Sequence, residues 1–217
     1  MKVEKLAVGV FRTNCYFLHN DTDVWIIDPG DQGSLIAQII TQQGWNLRAI
    51  LLTHGHFDHI LAIPHLISLY PETPIMIHEK DSMALGESGY KAMISFIKDV
   101  DSHLLEGVKD ITSFPPYTNL LQDQQIIEGC GLRVLHTPGH SEGSVCLYLE
   151  EEDILFSGDT LFYHTIGRTD LPHADHNVLI DSIHKKLLPL KKEVKVYPGH
   201  GKMTSISNEL RFNPFLR

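Results

Sequence analysis

The residues best suited to chemistry lie in the segment 53–59, which contains three histidines and one aspartate. The segment follows the apolar run 49–52, which predicts a buried strand, and Gly55 indicates the turn into a loop. Imidazole nitrogens and carboxylate oxygens are ligands that zinc, iron and manganese accept. The alternative is a solvated loop that is rich in histidine but binds no metal. Further candidate ligands elsewhere in the sequence are needed to distinguish the two.

Three later predicted strands repeat this design, because each ends in a glycine turn that is followed by another potential ligand. These ligands are His140, Asp159 and His200. Two of the three turns are Pro-Gly-His sequences, a repetition that core packing does not explain. Taken alone, each histidine or aspartate is more often structural, but together with segment 53–59 they predict a metal site.

The number of candidate ligands predicts the number of ions. The five histidines and two aspartates are His54, His56, Asp58, His59, His140, Asp159 and His200. They exceed the needs of one tetrahedral ion and suit two ions that share a carboxylate. Divalent ions lower the pKa of bound water from about 15.7 towards roughly 7, so metal-bound hydroxide can be the nucleophile. We therefore predict two divalent ions, preferably zinc, with iron or manganese as alternatives.

The motif His54-x-His56-x-Asp58-His59, followed by His140, Asp159 and His200, resembles the metallo-β-lactamase-fold hydrolases. A ligand set made only of histidine and aspartate is more similar to glyoxalase II than to lactamases with a cysteine ligand. The resemblance implies an α/β (α+β) fold, an αββα sandwich of two mixed sheets packed face to face with helices outside. The metals are then expected at one edge of the sheets.

The resemblance also implies a role for each ligand. The implied ligands are His54, His56 and His140 for the first ion, Asp58, His59 and His200 for the second, and Asp159 as the bridge. Asp58 and Asp159 are also predicted to be catalytic, since they hold the ions that carry the hydroxide.

The stretch 156–162 and the sequence Gly167-Arg168-Thr169-Asp170 are similar to small bacterial glyoxalase II-like proteins. They predict a thioesterase that cleaves hydroxyacyl thioesters such as S-lactoylglutathione. A thiolate leaves without protonation near neutral pH because the pKa of a thiol is about 8.5. The alternatives are an iron-dependent persulfide dioxygenase of the same fold and a lactonase-type hydrolase.

Two departures from glyoxalase II leave the use of glutathione open. The chain ends 17 residues after His200, where that family has a helical domain, and Asp170 and Lys202 stand where it has tyrosines. The predicted substrate-binding residues are Arg168, Tyr163 and Lys202. Arg168 suits a substrate carboxylate, although pairing with Asp170 is an equal alternative.

Other polar residues have weaker signals. Asp28 either orients a metal-binding histidine through its second nitrogen or only forms a turn. His164 and His173 are further candidates to line the pocket. The remaining histidines have no ligand-like spacing and are expected to be exposed or hydrogen-bonded; they are His19, His65, His78, His103, His136, His176 and His184.

Hydrophobic periodicity predicts the elements that position these residues. Strands are predicted over 3–9, 14–19, 23–27, 47–52, 74–78, 126–127, 132–136, 144–149, 153–157 and 194–197. Helices are predicted over 34–43, 60–70, 91–100 and 176–188. Residues 81–85 are expected to form a helical turn and residues 160–175 a long loop.

Composition limits the remaining possibilities. The 217 residues are 42% hydrophobic and 21% charged, with a net charge of −9, and are expected to form one domain, 1–217. A basic stripe for nucleic acid and an apolar run for a membrane are not found in the sequence. Cys15, Cys130 and Cys146 suggest reduced core thiols and a cytoplasmic protein. We expect a small-molecule thioester as partner, and a monomer or small homo-oligomer.

Overall fold

Most strands belong to two mixed sheets, in a computed structural model that describes residues 1–100, 105–109 and 111–217. The first sheet, in spatial order, consists of β1 (Lys2–Val8), β2 (Thr13–His19), β3 (Asp23–Ile27), β4 (Asn46–Leu51), β5 (Ile75–His78) and β6 (Asn119–Leu121). The first three strands pair antiparallel, and β3 to β6 pair parallel.

The second sheet has the order β13-β12-β9-β8-β7. Its strands are β7 (Arg133–His136), β8 (Val145–Leu149), β9 (Ile154–Gly158), β12 (Lys195–Pro198) and β13 (Thr204–Ser205). Strands β9 and β12 are parallel, and the other pairs are antiparallel. A separate hairpin joins β10 (Leu161–Phe162) and β11 (Thr165–Ile166).

The helices connect or follow these strands. They are α1 (Gly33–Gln43), α2 (Ile63–Leu69), α3 (Gly86–Val100), α4 (Leu105–Val108), α5 (His176–Ser182) and α6 (Ile206–Phe212). Short 3-10 turns cover Phe57–His59, Glu79–Ala84, Glu150–Glu152 and Pro214–Leu216, and α5 continues as a π-helical turn over Ile183–Leu187. Helix α2 begins at Ile63, so Pro64 lies in the first turn, where its missing N–H is tolerated.

Successive side chains along the strands of the first sheet pack on its two opposite faces. In β2, Cys15 and Phe17 pack in one cluster with Ile36 of α1, while Tyr16 and Leu18 pack in another cluster with residues of the second sheet. Because successive side chains of a strand point to opposite faces, β2 has helices on one side and the second sheet on the other.

The second sheet follows the same rule. In β9, Phe156 packs between the sheets, whereas Leu155 packs in a third cluster with Leu179 and Ile183. The layers are therefore helix, sheet, sheet and helix. The predicted αββα fold class is confirmed.

The structure differs from the prediction mainly in short elements. The expected loop 160–175 contains the β10–β11 hairpin. Its strands have only two residues each, so no alternation of apolar and polar residues could be seen in the sequence. Helix α6 was not predicted; Ser205 caps it by accepting from the N–H of Asn208. Helix α3 begins before residue 91, and residues 126–127 contribute only an isolated bridge from Ile126 to Arg133.

Other expectations concern single residues and the membrane. The three cysteines are buried and free, and burial raises the pKa of Cys130 and of Cys146 to about 11, which keeps both as thiols. His103 lies outside the described residues. Across the part of the chain that the structure describes, no helix is long and apolar enough to cross a membrane.

Candidate metal centre

Loops that follow four strands bring the candidate ligands to one edge of the sandwich. Strand β4 of the first sheet ends directly before the loop 52–59. Strands β7, β9 and β12 of the second sheet precede His140, Asp159 and His200. Both sheets therefore contribute ligands, and the structure brings all seven predicted residues together.

Three histidines form the first ligand group, and their inner nitrogens converge. Nδ1 of His56 lies 3.1 Å from Nε2 of His54 and 2.9 Å from Nε2 of His140. His54 and His140 are buried, and His56 is partly exposed. The three nitrogens lie within 4.8 Å of one another, so one ion could bind between them.

Asp58, His59 and His200 form the second ligand group. Nε2 of His59 lies 3.3 Å from Nε2 of His200, and Oδ2 of Asp58 lies 3.2 Å from the same His200 nitrogen. The Thr13 hydroxyl donates to this carboxylate over 3.0 Å and fixes its orientation. This group could also hold one ion.

Asp159 lies between the two groups. Its Oδ2 is 3.7 Å from Nε2 of His140 and 3.5 Å from Nε2 of His200, and its Oδ1 is 3.5 Å from Nε2 of His59. The buried Oδ1 finds no hydrogen-bond partner among the described residues. One carboxylate therefore reaches nitrogens of both groups and retains an unsatisfied oxygen.

Backbone carbonyls determine the tautomers of two histidines. Nδ1 of His140 lies 2.9 Å from the carbonyl oxygen of Arg168, and Nδ1 of His200 lies 3.1 Å from that of Phe11. Because a carbonyl oxygen only accepts, each Nδ1 must carry the proton and donate it. Each neutral ring then has its lone pair on Nε2, which faces the site.

Asp28 determines the tautomers of two more histidines. Its Oδ2 lies 3.0 Å from Nδ1 of His59 and accepts from the Thr53 hydroxyl over 2.6 Å. The hydroxyl oxygen, 3.0 Å from Nδ1 of His54, is then free to accept from that nitrogen. Asp28 therefore makes the orienting contacts that were one of its two predicted roles, and the Nε2 atoms of His54 and His59 face the site.

These contacts fit bound cations. Lone pairs on His59 and His200 face each other across 3.3 Å, an arrangement that repels unless a proton or a metal ion lies between the rings. The unsatisfied Asp159 oxygen has the same requirement. Nitrogen and carboxylate donors suit zinc, iron and manganese. The role of the seven residues as metal ligands stays a prediction.

Charge differs between the two groups. Burial, reinforced by His140, lowers the pKa of His56 to about 3. Burial also lowers the pKa of His59, but the carboxylates of Asp58, Asp159 and Asp28 outweigh it and raise that pKa to about 10. Carboxylates therefore favour a positive charge at the second group, while the first group favours neutral imidazoles.

Strand β2 holds the loop that carries His200. The Asn14 amide donates to the carbonyl of Pro198 over 2.8 Å, and the Tyr16 hydroxyl donates to the same oxygen over 2.6 Å. The N–H of Asn14 also donates to Gly199. Sequence reasoning missed these positioning residues because, within an apolar strand, Asn14 and Tyr16 give no signal of a contact 182 to 184 residues away.

The predicted substrate-binding residues form two surface pairs. Arg168 makes a bidentate ion pair with Asp170 at 2.8 and 2.9 Å, and its side chain is 63% exposed. This is the structural alternative predicted for Arg168. The Lys202 ammonium lies 3.5 Å from the centre of the Tyr163 ring, which also stacks on His164. Contact of any of these residues with substrate stays a prediction.

The other histidines agree with the prediction where they are described. His65, His176 and His184 are exposed, and His19, His78 and His136 have hydrogen-bond partners. His173 is exposed on its loop, and the N–H of His164 is held by the buried carboxylate of Glu209.

An apolar cleft of about 110 Å³ lies beside Asp58 and was not predicted. Its apolar wall includes Val8, Val10, Phe11, Phe57, Leu61 and Ile97. Phe11 and Phe57 meet edge to face, with ring centres 5.4 Å apart. Periodicity missed the cleft because the tip of the β1–β2 hairpin meets α3 only in the folded chain.

Comparison with known proteins agrees with this site. The family model of the metallo-beta-lactamase superfamily matches residues 8–200. The chain therefore belongs to the metallo-β-lactamase superfamily, and the resemblance inferred from the ligand motif is confirmed. Within this superfamily it is a metallo-hydrolase, and its histidine and aspartate clusters indicate divalent metal ions.

Two bacterial relatives are similar over the full chain. The probable metallo-hydrolase YqgX of Bacillus subtilis is 37% identical, and the alignment covers 100% of this chain and 98% of the relative. The hydroxyacylglutathione hydrolase GloC of Haemophilus influenzae is 36% identical, again with 100% and 98% covered.

Two solved structures are similar to this chain in both fold and sequence. The B3 metallo-β-lactamase BLEG-1 superposes with a TM-score of 0.87 at 36% identity, with 99% of each chain covered. TTHA1623, solved in a di-iron-bound form, superposes with a TM-score of 0.78 at 33% identity, with 98% of this chain and 100% of the other covered.

Proposed function

We propose that this protein is a glyoxalase II-like thioesterase that hydrolyses hydroxyacyl thioesters such as S-lactoylglutathione at a two-metal site. The observation that carries the proposal is the position of Asp159, which approaches His140 of one ligand group and His59 and His200 of the other within 3.7 Å. Similarity to the hydroxyacylglutathione hydrolase GloC supports the substrate class.

The proposed ligands follow the two groups of the site. They are His54, His56 and His140 for one ion, Asp58, His59 and His200 for the other, and Asp159 between them. When bound, divalent ions would polarise the thioester carbonyl and lower the pKa of water so that it can attack at neutral pH. Zinc is preferred for this donor set, while the di-iron form of TTHA1623 supports iron as an alternative.

The histidine tautomers favour a thioester over an amide. The N–H groups of His140 and His200 donate to backbone carbonyls, and that of His59 donates to Asp28, so all three point away from the reaction centre. If their Nε2 atoms bind the metal ions, these rings can bind and orient but would hold no proton for a leaving group. A thiolate needs none, because the pKa of a thiol is about 8.5, whereas an amide nitrogen must be protonated.

The surroundings of the centre support a substrate with an apolar and an anionic part. The apolar cleft beside Asp58 suits the carbon chain of an acyl group. On the side of His200, the Lys202 ammonium above Tyr163 suits a carboxylate of the thiol. Arg168 would contribute once a substrate carboxylate competes with Asp170 for its guanidinium group.

One experiment tests the proposal against its alternatives. Metal-free protein is loaded with zinc, iron(II) or manganese and assayed with S-lactoylglutathione, simpler thioesters, a lactone and a cephalosporin. The cephalosporin is included because BLEG-1 is a β-lactamase. Oxygen uptake with glutathione persulfide tests the dioxygenase alternative in the iron-loaded protein.

We expect thioesters to be hydrolysed with the highest kcat/KM. Asp159→Asn should lower this activity about a thousandfold. Asp181→Asn, which changes an exposed aspartate paired with Lys185, should retain it. Metal-loaded protein that leaves every thioester intact would contradict the proposal. Oxygen uptake or lactam cleavage in the same preparation would then identify the alternative.

A further inference from the structure

Asp81 joins two loops that carry metal ligands, although it lies near neither in sequence. Its Oδ2 accepts from the N–H of Gly55 over 2.9 Å and from the hydroxyl of Ser141 over 2.6 Å. Its Oδ1 accepts from the N–H of Gly143 over 2.7 Å. Gly55 lies between His54 and His56, and Ser141 follows His140.

We infer that Asp81 is a positioning residue that fixes the spacing of the three-histidine group and thereby sets its affinity for metal. This inference rests on the proposed function only in assigning His54, His56 and His140 as ligands of one ion. It adds a residue whose carboxylate bonds, among the described residues, to Gly55, Ser141 and Gly143 rather than to the three rings.

The carboxylate is suited to this role by its shape and charge. Two acceptor atoms at a fixed separation bind donors from opposite loops, and hydrogen bonds to an ionised acceptor are about twice as strong as neutral ones. Without Asp81, the N–H groups of Gly55 and Gly143 would each lose the partner that aligns their loops.

Tight packing explains why glycine occupies both loop positions. A Cβ at Gly143 would lie 2.5 Å from Oδ1 of Asp81, and a Cβ at Gly55 would lie 3.0 Å from the Asp81 carbonyl oxygen and 2.6 Å from Cβ of Ala84. Real Cβ atoms do not approach other atoms this closely, so larger residues would move the loops apart. The hydrogen bonds to the Asp81 carboxylate and the packing of the two glycines therefore maintain the same spacing between the two ligand loops.

The second ligand group provides an internal comparison. No hydrogen bond from Asp81 to Asp58, His59 or His200 is found among the described residues; Thr13 orients Asp58, and Asp28 orients His59. Loss of Asp81 should therefore lower the affinity for one ion and leave the affinity for the other unchanged. A general loss of stability would weaken both.

The test is competition of metal-free protein with a zinc chelator, which yields separate affinities for the two ions. Asp81→Asn places an amide N–H against one of the donors, and we expect the affinity of one ion to fall about 10- to 100-fold, with the other unchanged. Ser141→Ala, which removes one of three bonds, should have a smaller effect on the same ion. Asp21→Asn is the control, since Asp21 is an exposed aspartate that pairs with Lys2 at the start of β1.

The outcomes separate this inference from the proposed function. Equal affinity in Asp81→Asn and the wild type, or equal loss for both ions, would overturn the positioning role. A double mutant with His140→Ala should show strong non-additivity for the weakened ion, and additive losses would also overturn the role. If the wild type binds two ions but hydrolyses no thioester, the proposed function fails while the effect of Asp81 can still be measured.

Discussion

The edge that carries the seven candidate ligands (the ligand edge) and the exposed ion pair of Arg168 and Asp170 (the rim) are built in opposite ways. At the ligand edge, His59 and Asp28 are 0% and 1% exposed, and Nδ1 of His59 lies 3.0 Å from the Asp28 carboxylate. At the rim, the side chains of Arg168 and Asp170 are 63% and 69% exposed and bind only each other. Buried contacts therefore hold the ligand edge in place, while the exposed side chains of the rim are free to rearrange.

Asp159→Asn should produce the largest loss, because it removes the charge that both ligand groups share. We expect kcat/KM for thioesters to fall about a thousandfold, the equivalent of several kcal/mol of lost charge stabilisation. Bound metal should fall in parallel. Steady-state kinetics and metal analysis check this, and wild-type turnover would remove Asp159 from the centre.

Asp28→Asn should have the next largest effect, since Asp28 orients His59 directly and His54 through Thr53. Metal affinity should fall about 10- to 100-fold. Chelator competition measures the change, with Asp23→Asn as a control at a more exposed aspartate that bonds to Asn46. Unchanged affinity would leave Asp28 with its turn-forming role alone.

Lys202→Ala should affect substrate binding without affecting chemistry. Because an exposed charge contact is worth at most about 1 kcal/mol, we expect KM for S-lactoylglutathione to rise by up to about fivefold at constant kcat. A neutral thioester should show no change. Arg168→Ala should have a smaller effect, because Asp170 already occupies its guanidinium group. Lys195→Ala serves as the control, and a loss of kcat would move Lys202 into the catalytic centre.

Phe11→Ala should have the smallest effect, and should change only the preference of the enzyme for one acyl group over another. Partial loss of an apolar wall should lower kcat/KM for a hexanoyl thioester about threefold relative to an acetyl thioester. Phe215→Ala is matched in exposure, at 46% against 42% for Phe11, and lies outside the cleft. Equal ratios in the two variants would show that the acyl chain binds elsewhere.

The ligand edge could be predicted from the sequence because each ligand directly follows a strand. Glycine turns follow β4, β7, β9 and β12 directly in the sequence. His140, Asp159 and His200 could therefore be identified from the sequence as partners of segment 53–59. The layers of the sandwich were expected from the resemblance that the ligand motif carries, and the two mixed sheets confirm that expectation.

What sequence reasoning missed depends on contacts between distant segments. Asp81 reaches Gly143 across 62 residues, and Tyr16 reaches Pro198 across 182. Neither residue type has a spacing that reveals such a partner. The cleft needs the β1–β2 hairpin and α3 to meet, and the pairing of Arg168 with Asp170 was one of two equal alternatives until the structure showed both oxygens in use.

The two-metal centre is tested most directly by the number of metal ions bound per chain after metal-free protein is loaded and desalted. We expect about two ions for the wild type, since Asp159 lies between two ligand groups. Asp159→Asn should bind fewer. A wild-type chain that binds one ion or none, with the seven residues intact, would contradict the two-metal centre.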